Sequence, residues 1–373
     1  MPQQHKLIEI ALLFFKLGSI AFGGPAAHIA MMEDEVVTKR KWMSQEHFLD
    51  LVGATNLIPG PNSTEMTMHC GHERAGWKGL FVAGFCFIFP AVVITSVFAY
   101  FYELYGQLPE VTPFIYVIKP AVIAIILMAA FRLGKKAVKN IELAILGAVF
   151  VLTSLLGLNE FIILFGGGLL SLTIYFAKKR SGKLNTSVAL LLFQVSDPLK
   201  IGSLKIFLTF LKVGAILYGS GYVLFAFLDS ELVSTGWLTR QVLIDAVAIG
   251  QITPGPVLST ATFIGWQLHG ITGAIAATLG IFLPSFLFVL ILHPLIPKMR
   301  KSKIIGTFLD AVNVAAVALI ITVCVEMGKD VLIGWRTILI TLISLYVVFV
   351  FKKLNSAFIV LGGAILGFIL NLV

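Results

Sequence analysis

One unit of this chain occurs twice, and the unit carries an odd number of bilayer-length apolar stretches. FFKLGSIAFGG at 14–24 matches FLKVGAILYGS at 210–220, Asp50 falls on Asp245, and Asn56 falls on Gln251. Pro59-Gly60-Pro61 falls on Pro254-Gly255-Pro256, and Gly71, Gly79 and Pro90 fall on Gly265, Gly273 and Pro284. GGGLL at 166–170 matches GGAIL at 362–366, and the offset stays between 194 and 196 throughout. Crossing a bilayer as a helix takes about 20 apolar residues, with some tolerance. Copy one offers five such stretches, 8–24, 78–102, 112–132, 141–157 and 160–177. Copy two offers 205–228, 271–293, 304–325, 335–351 and 355–372. Between the first and second stretch of each copy lies a weaker apolar segment interrupted by Pro-Gly-Pro, each half too short to cross.

An odd-numbered unit repeated in tandem must enter the membrane in opposite senses. The expected fold is therefore an all-α integral membrane protein of two inverted-topology repeats. Each repeat should hold five transmembrane helices plus a re-entrant helical hairpin broken at Pro-Gly-Pro. The expected division is an N-terminal membrane repeat over 1–180, a polar cytoplasmic linker over 181–203 and a C-terminal membrane repeat over 204–373.

Composition excludes a soluble protein: 58% of residues are hydrophobic and 13% charged, where a soluble domain carries about a quarter charged. The net charge of +9 is not read as a nucleic-acid surface, because the basic residues cluster in short loops between apolar stretches. Lys39–Lys41, Arg132–Lys139, Lys178–Lys183, Lys298–Lys303 and Lys352–Lys353 all fall on one side under a single arrangement. The first hairpin then enters from the cytoplasm, the second from outside, and both termini lie outside; Arg240, Lys329 and Arg336 run against it. The N-terminus lacks a basic region followed by a small-residue cleavage site, so it reads as a first helix. Cys70, Cys86 and Cys324 are scattered in apolar or near-apolar stretches and form neither a disulfide framework nor a zinc spacing.

A Pro-Gly-Pro tip starts a half-helix whose free N–H groups carry the positive end of its dipole. Two inverted copies would bring two such ends together near the bilayer midplane, the binding geometry of transporters built from inverted repeats. Asn62, Ser63 and Thr64 follow the first tip, and Ser259 and Thr260 follow the second. With the backbone at Gly60 and Gly255 they form a donor set suited to an oxyanion. Gly23 and Gly24, in FGGP, are candidates for close backbone approach to the same ligand. Lys16, Lys212 and Lys119 fall inside apolar stretches, where a cation is costly unless paired or lining a cavity. Lys119 has Asn313 in its place in copy two and is the cation expected to offset the ligand's charge. Glu65, Asp50 and Asp245 are candidates for ion pairing or, for Glu65, proton carriage. HCGHER at 69–74 sets His69, Cys70, His72 and Glu73 close in sequence, but copy two has Phe263, Ile264, Trp266 and Gln267 there. No metal site and no cofactor are therefore expected.

FGGPAAHIAMMEDEVV, WMSQEHFLDLVGATNLIPGPNSTEM, GHERAGWKGLFVAGFCFIFPA and QITPGPVLSTATFIGW together resemble the chromate ion transporter family, in its long, fused two-repeat form. The resemblance implies a protein of the bacterial or archaeal cytoplasmic membrane that exports chromate and confers resistance, and no enzyme. Sulfate has the same charge and tetrahedral shape, so a sulfate-like anion remains open as substrate. Proton-coupled uptake and a small-anion channel remain open as mechanisms. A homodimer is a candidate assembly, through small-residue faces such as Gly166–Gly168 and Gly362-Gly363.

Overall fold

The computed structural model describes residues 3–22, 24–55, 57–106, 108, 112–179, 202–218, 221–293, 302–351 and 354–372. Gly23, Asn56 and nearly all of the expected linker 181–203 lie outside the described residues, as do Lys298, Arg300, Lys301, Lys352 and Lys353. The described residues are helical and contain no strand. Copy one comprises α1 (Gln3–Ile20), α2 (Gly24–Glu33), α3 (Gln45–Thr55), α4 (Asn62–Tyr105), α5 (Thr112–Ala137), α6 (Ile141–Leu155) and α7 (Gly167–Lys179). Copy two comprises α8 (Ser203–Ile216), the short α9 (Leu224–Leu228), α10 (Arg240–Ile252), α11 (Thr260–Leu292), α12 (Lys303–Val331), α13 (Trp335–Val350) and α14 (Ser356–Leu372). Four stretches are long and apolar enough to cross a membrane: Asn62–Tyr105, Val117–Ala137, Val257–Leu292 and Lys303–Val331. Ile141–Leu155, Ile162–Ala177, Trp335–Val350 and Ser356–Leu370 are shorter apolar helices.

α4 and α11 are each two helices joined by a sharp reversal, at Ala75-Gly76 and at His269-Gly270. Gly76 (φ 66°) and Gly270 (φ 56°) take the left-handed conformation that the reversal needs. The short arm, 62–74 or 260–268, then folds back on its own long helix. Gly71 meets Gly79 there, and Gly265 meets Gly273, so closely that a Cβ on any of the four would strike the other's carbonyl oxygen.

The long parts of α4 and α11 pack antiparallel. Phe81 stacks on Phe286 with ring centroids 5.4 Å apart, and at the other end Trp266, on the short arm beside the α11 reversal, donates Nε1 to Glu103 Oε2 at 2.7 Å. At the centre of the fold α12 is buried along most of its length, against α5, α6 and α7. Outward faces carry large exposed apolar side chains: Phe85, Phe89 and Val93 on α4, Ile141, Ile145 and Leu152 on α6, Leu342, Tyr346 and Phe349 on α13. Apolar area this continuous needs an apolar surround, which lipid supplies.

The first apolar stretch of each copy differs from the crossing helix expected for it. α1 ends at Ile20, and the chain turns back so that Lys16 pairs with Glu35 at 3.4 Å and Trp42 Nε1 donates to Glu9 at 3.2 Å. Copy two repeats the turn: Lys212 pairs with Glu231 at 2.7 Å, and the Lys205 ammonium sits 4.6 Å from the Trp237 ring. In copy one the turn falls at Gly24, whose φ of 76° lets the backbone reverse between α1 and α2. Five continuous spans per copy are therefore not what the helices form. A second consequence concerns the termini. Glu9 meets Arg74 at 2.8 Å, at the mouth of the first hairpin, while Gly367 packs on Val117 at the start of α5. The two chain ends thus lie at opposite ends of the bundle, not together as expected.

Candidate anion site at the two broken helices

α3 stops at Thr55 and α10 at Ile252, each a few residues ahead of a proline that cannot continue a helix. Gly60 (φ 138°) and Gly255 (φ 89°) then turn the chain with backbone that side-chain-bearing residues rarely adopt. Pro61 (φ −81°) and Pro256 (φ −69°) cap the helices that follow. Each tip is completed by the other copy. Gly60 N–H donates to the Leu217 carbonyl at 2.6 Å, where α8 has ended, and Gly255 N–H donates to the Ala21 carbonyl at 2.9 Å, where α1 has ended. Four interrupted helices meet in this way, two from each copy.

The two tips differ in how far their polar groups are already engaged. At the first, α4 starts directly at Asn62, and Ser63, Thr64 and Glu65 are buried. Thr64 Oγ1, both Glu65 carboxyl oxygens and Ser285 Oγ have no hydrogen-bond partner among the described residues. Glu65 Oε1 and Ser285 Oγ fill the space that a Cβ on Gly60 would need. At the second tip a 3-10 turn, Val257–Ser259, precedes α11. Ser259 Oγ accepts from Thr95 Oγ1 at 3.3 Å, and Thr260 Oγ1 donates to the Val257 carbonyl at 2.8 Å. Gly255 is pressed against Ala91, and Gln251 Nε2 has no partner among the described residues. A cleft of about 390 Å³ reaches Leu57, just before the first tip, from a rim that carries Lys136, Lys139, Asp310 and Asn313.

Of the expected cations, none stands free at the tips. Lys119, on α5, pairs with Asp245 of α10 at 2.8 Å, with both side chains at most 4% exposed. Tyr102 OH donates to the other Asp245 oxygen at 2.7 Å. Lys16 and Lys212 are exposed and pair with Glu35 and Glu231, not with Glu65, Asp50 or Asp245. Asp50 is exposed on α3. Gly24 lies at the α1–α2 turn opposite Tyr222 of copy two. At the mouth of the first hairpin, hydrogen bonds to Asp34 and Glu35 raise the proton affinity of Lys39 above its ordinary value.

Sequence reading missed Ser285, Thr95, Gln251 and Tyr102. Ser285 carried a signal: it follows Pro284 and takes the place of Ala91 in the copy match, a polar substitution beside a matched proline. Thr95 and Tyr102 carried none, since their partners lie 164 and 143 residues away.

Residues 8–172 and 204–368, two stretches of equal length, each match the family described as "Chromate transporter". A "Probable chromate transport protein" of Synechococcus elongatus is 32% identical, covering 98% of this chain and 96% of its own. A "Chromate transport protein" of Cupriavidus metallidurans is 30% identical over 98% of this chain and 93% of its own. One of the same description from Pseudomonas aeruginosa is 28% identical over 88% and 83%. No solved structure matches the chain.

Proposed function

The chain belongs to the chromate transporter family, and from that premise we propose that it exports chromate as a secondary transporter, binding the dianion between the two Pro-Gly-Pro tips. The observation that carries this reading is the cluster of buried, unpartnered polar groups at the first tip, facing a helix start. Buried polar groups are almost always paired, so a set of side-chain atoms left open at a helix start is a place for a ligand. We assign the contacts to the start of α4 and to Asn62, Ser63, Thr64 and Ser259, with Gly60 and Gly255 holding the backbone close.

Direction follows from charge. With about 100 mV negative inside, moving a dianion outward is favoured by roughly 4.6 kcal/mol, at about 2.3 per charge. Glu65 adds a constraint. An anion and an ionised Glu65 would compete for the same helix start, so anion loading goes with a neutral Glu65. In the membrane, the α1–α2 and α3–α4 hairpins enter from the cytoplasmic side. The α8–α9 and α10–α11 hairpins enter from the other side.

The test is chromate flux and binding in proteoliposomes. Removing a donor to a charged ligand costs about 1.5–3 kcal/mol. Ser63→Ala or Asn62→Ala should thus weaken chromate binding roughly ten- to a hundredfold. Glu65→Gln, which carries no charge, should keep chromate binding. Normal chromate affinity in both donor variants places the site elsewhere.

A further inference from the structure

Four histidines and a glutamate, none used by the transport reading, converge where the first hairpin's mouth meets the far end of α11. His69, His72 and Glu73 come from the last two turns of the α4 arm. His293 caps α11 in the other copy, and His47 comes from the start of α3. The ligand atoms of His72, Glu73 and His293 all lie within 4.8 Å of one another. His293 Nε2 is 3.4 Å from Glu73 Oε1. The outer atoms of two of the three are also held. His293 Nδ1 is 2.9 Å from His69 Nδ1, and Glu73 Oε2 is 3.2 Å from His47 Nε2.

We propose that His72, Glu73 and His293 form a binding site for a divalent transition metal of the zinc type, built across the two copies. Two imidazoles and one carboxylate are a common ligand set for such ions, with a fourth position left to water. Donors around a tetrahedral zinc stand about 3.3 Å apart, from bonds of about 2.0–2.1 Å. The observed spacing closes to that by rotation of the partly exposed Glu73 and His72 side chains. Ligating histidines ordinarily hold their second nitrogen against an outer partner, which fixes ring orientation. His69 does this for His293, and His47 does the equivalent for the Glu73 carboxylate. Arg74, the nearest cation in sequence, is turned away onto Glu9. Copy two has no equivalent set, because Trp266 and Gln267 stand at the matching positions. The ion would join the α4 reversal of copy one to the end of α11 in copy two, fixing the first hairpin against the opposite repeat.

The experiment uses the full chain in detergent with any polyhistidine tag removed. Zn²⁺ is measured by equilibrium dialysis with elemental analysis. Co²⁺ is followed by the intensity of its visible absorption, which is strong only in a tetrahedral site. The expected result is one Zn²⁺ per chain, a tetrahedral Co²⁺ spectrum displaced by Zn²⁺, and a rise in melting temperature with Zn²⁺. His72→Ala and His293→Ala should weaken binding at least a hundredfold and abolish the Zn²⁺-dependent rise. His47→Ala should weaken it about tenfold. His269→Ala, at the matching reversal of copy two, should bind as the parent does. Should His293→Ala fail to fold, Glu73→Gln with His72→Ala makes the same comparison. Absence of stoichiometric Zn²⁺, or binding unchanged by His72→Ala and Glu73→Gln, would overturn the proposal. The cluster would then be a hydrogen-bonded His–Glu joint. Chromate affinity is read separately, so failure of the metal site leaves the transport reading standing.

Discussion

Lys119 and Asp245 show how a single contact can change the meaning of a residue. A lone intramembrane lysine points to a ligand's counter-charge, but here a carboxylate of the other copy stands 2.8 Å away with Tyr102 bonded behind it. Two buried charges so matched are costly to separate: removing one partner leaves the other unpaired, at about 3–5 kcal/mol. Lys119→Met should therefore lower the melting temperature sharply and reduce yield. Lys119→Met combined with Asp245→Asn should restore much of both. Thermal denaturation of the purified variants in detergent decides the matter. A Lys119→Met variant that melts like the parent yet loses chromate flux would return this lysine to the transport path.

At the scale of the element, the hairpins depend on backbone touching backbone. Gly71 and Gly79 leave no room for a Cβ, because each would meet the other's carbonyl. Gly71→Ala must spread the arm from its long helix, and strain of this kind costs about 1–3 kcal/mol. Gly306 is helical with open space where its Cβ would stand, so Gly306→Ala should be neutral or stabilising by up to about 1 kcal/mol. Melting of the two alanine variants side by side checks the contrast. The matched glycines were legible in the sequence, as were the Pro-Gly-Pro breaks, because both recur at a fixed offset. The turning back of α1 and α8 was not. Hydropathy reports how greasy a stretch is, and 8–24 is greasy enough to cross. What reveals the turn is a lysine and a glutamate 19 residues apart in both copies, Lys16 with Glu35 and Lys212 with Glu231, a signal of antiparallel pairing. The His293 contact left no trace at all, since its partners are more than 200 residues away.

Over the whole molecule, the antiparallel packing of α4 on α11 puts the mouths of the two sets of hairpins at opposite ends. The inverted arrangement proposed above has those ends face different compartments. Val37→Cys and Ser234→Cys, each in a background lacking the half-buried Cys86, should react with an impermeant thiol reagent from opposite sides. Val37→Cys should share its side with a tag on the N-terminus, and Ser234→Cys should share its side with a tag on the C-terminus. Labelling of both cysteines from one face would exclude the inverted arrangement, and both termini on one face would exclude the turned-back first helix.

The exchanged hydrogen bonds at the tips have a consequence in time. Gly60 N–H is answered by Leu217 and Gly255 N–H by Ala21. At about 5–20 residues per second, a ribosome takes on the order of ten to thirty seconds to travel between the first two of these positions. Throughout that interval the first hairpin has been made but its acceptor has not, and Ala21 waits longer still. The turning points on which transport is proposed to depend thus close only once the second copy is being made. The earlier-born half must be kept from misassembly until its sibling arrives.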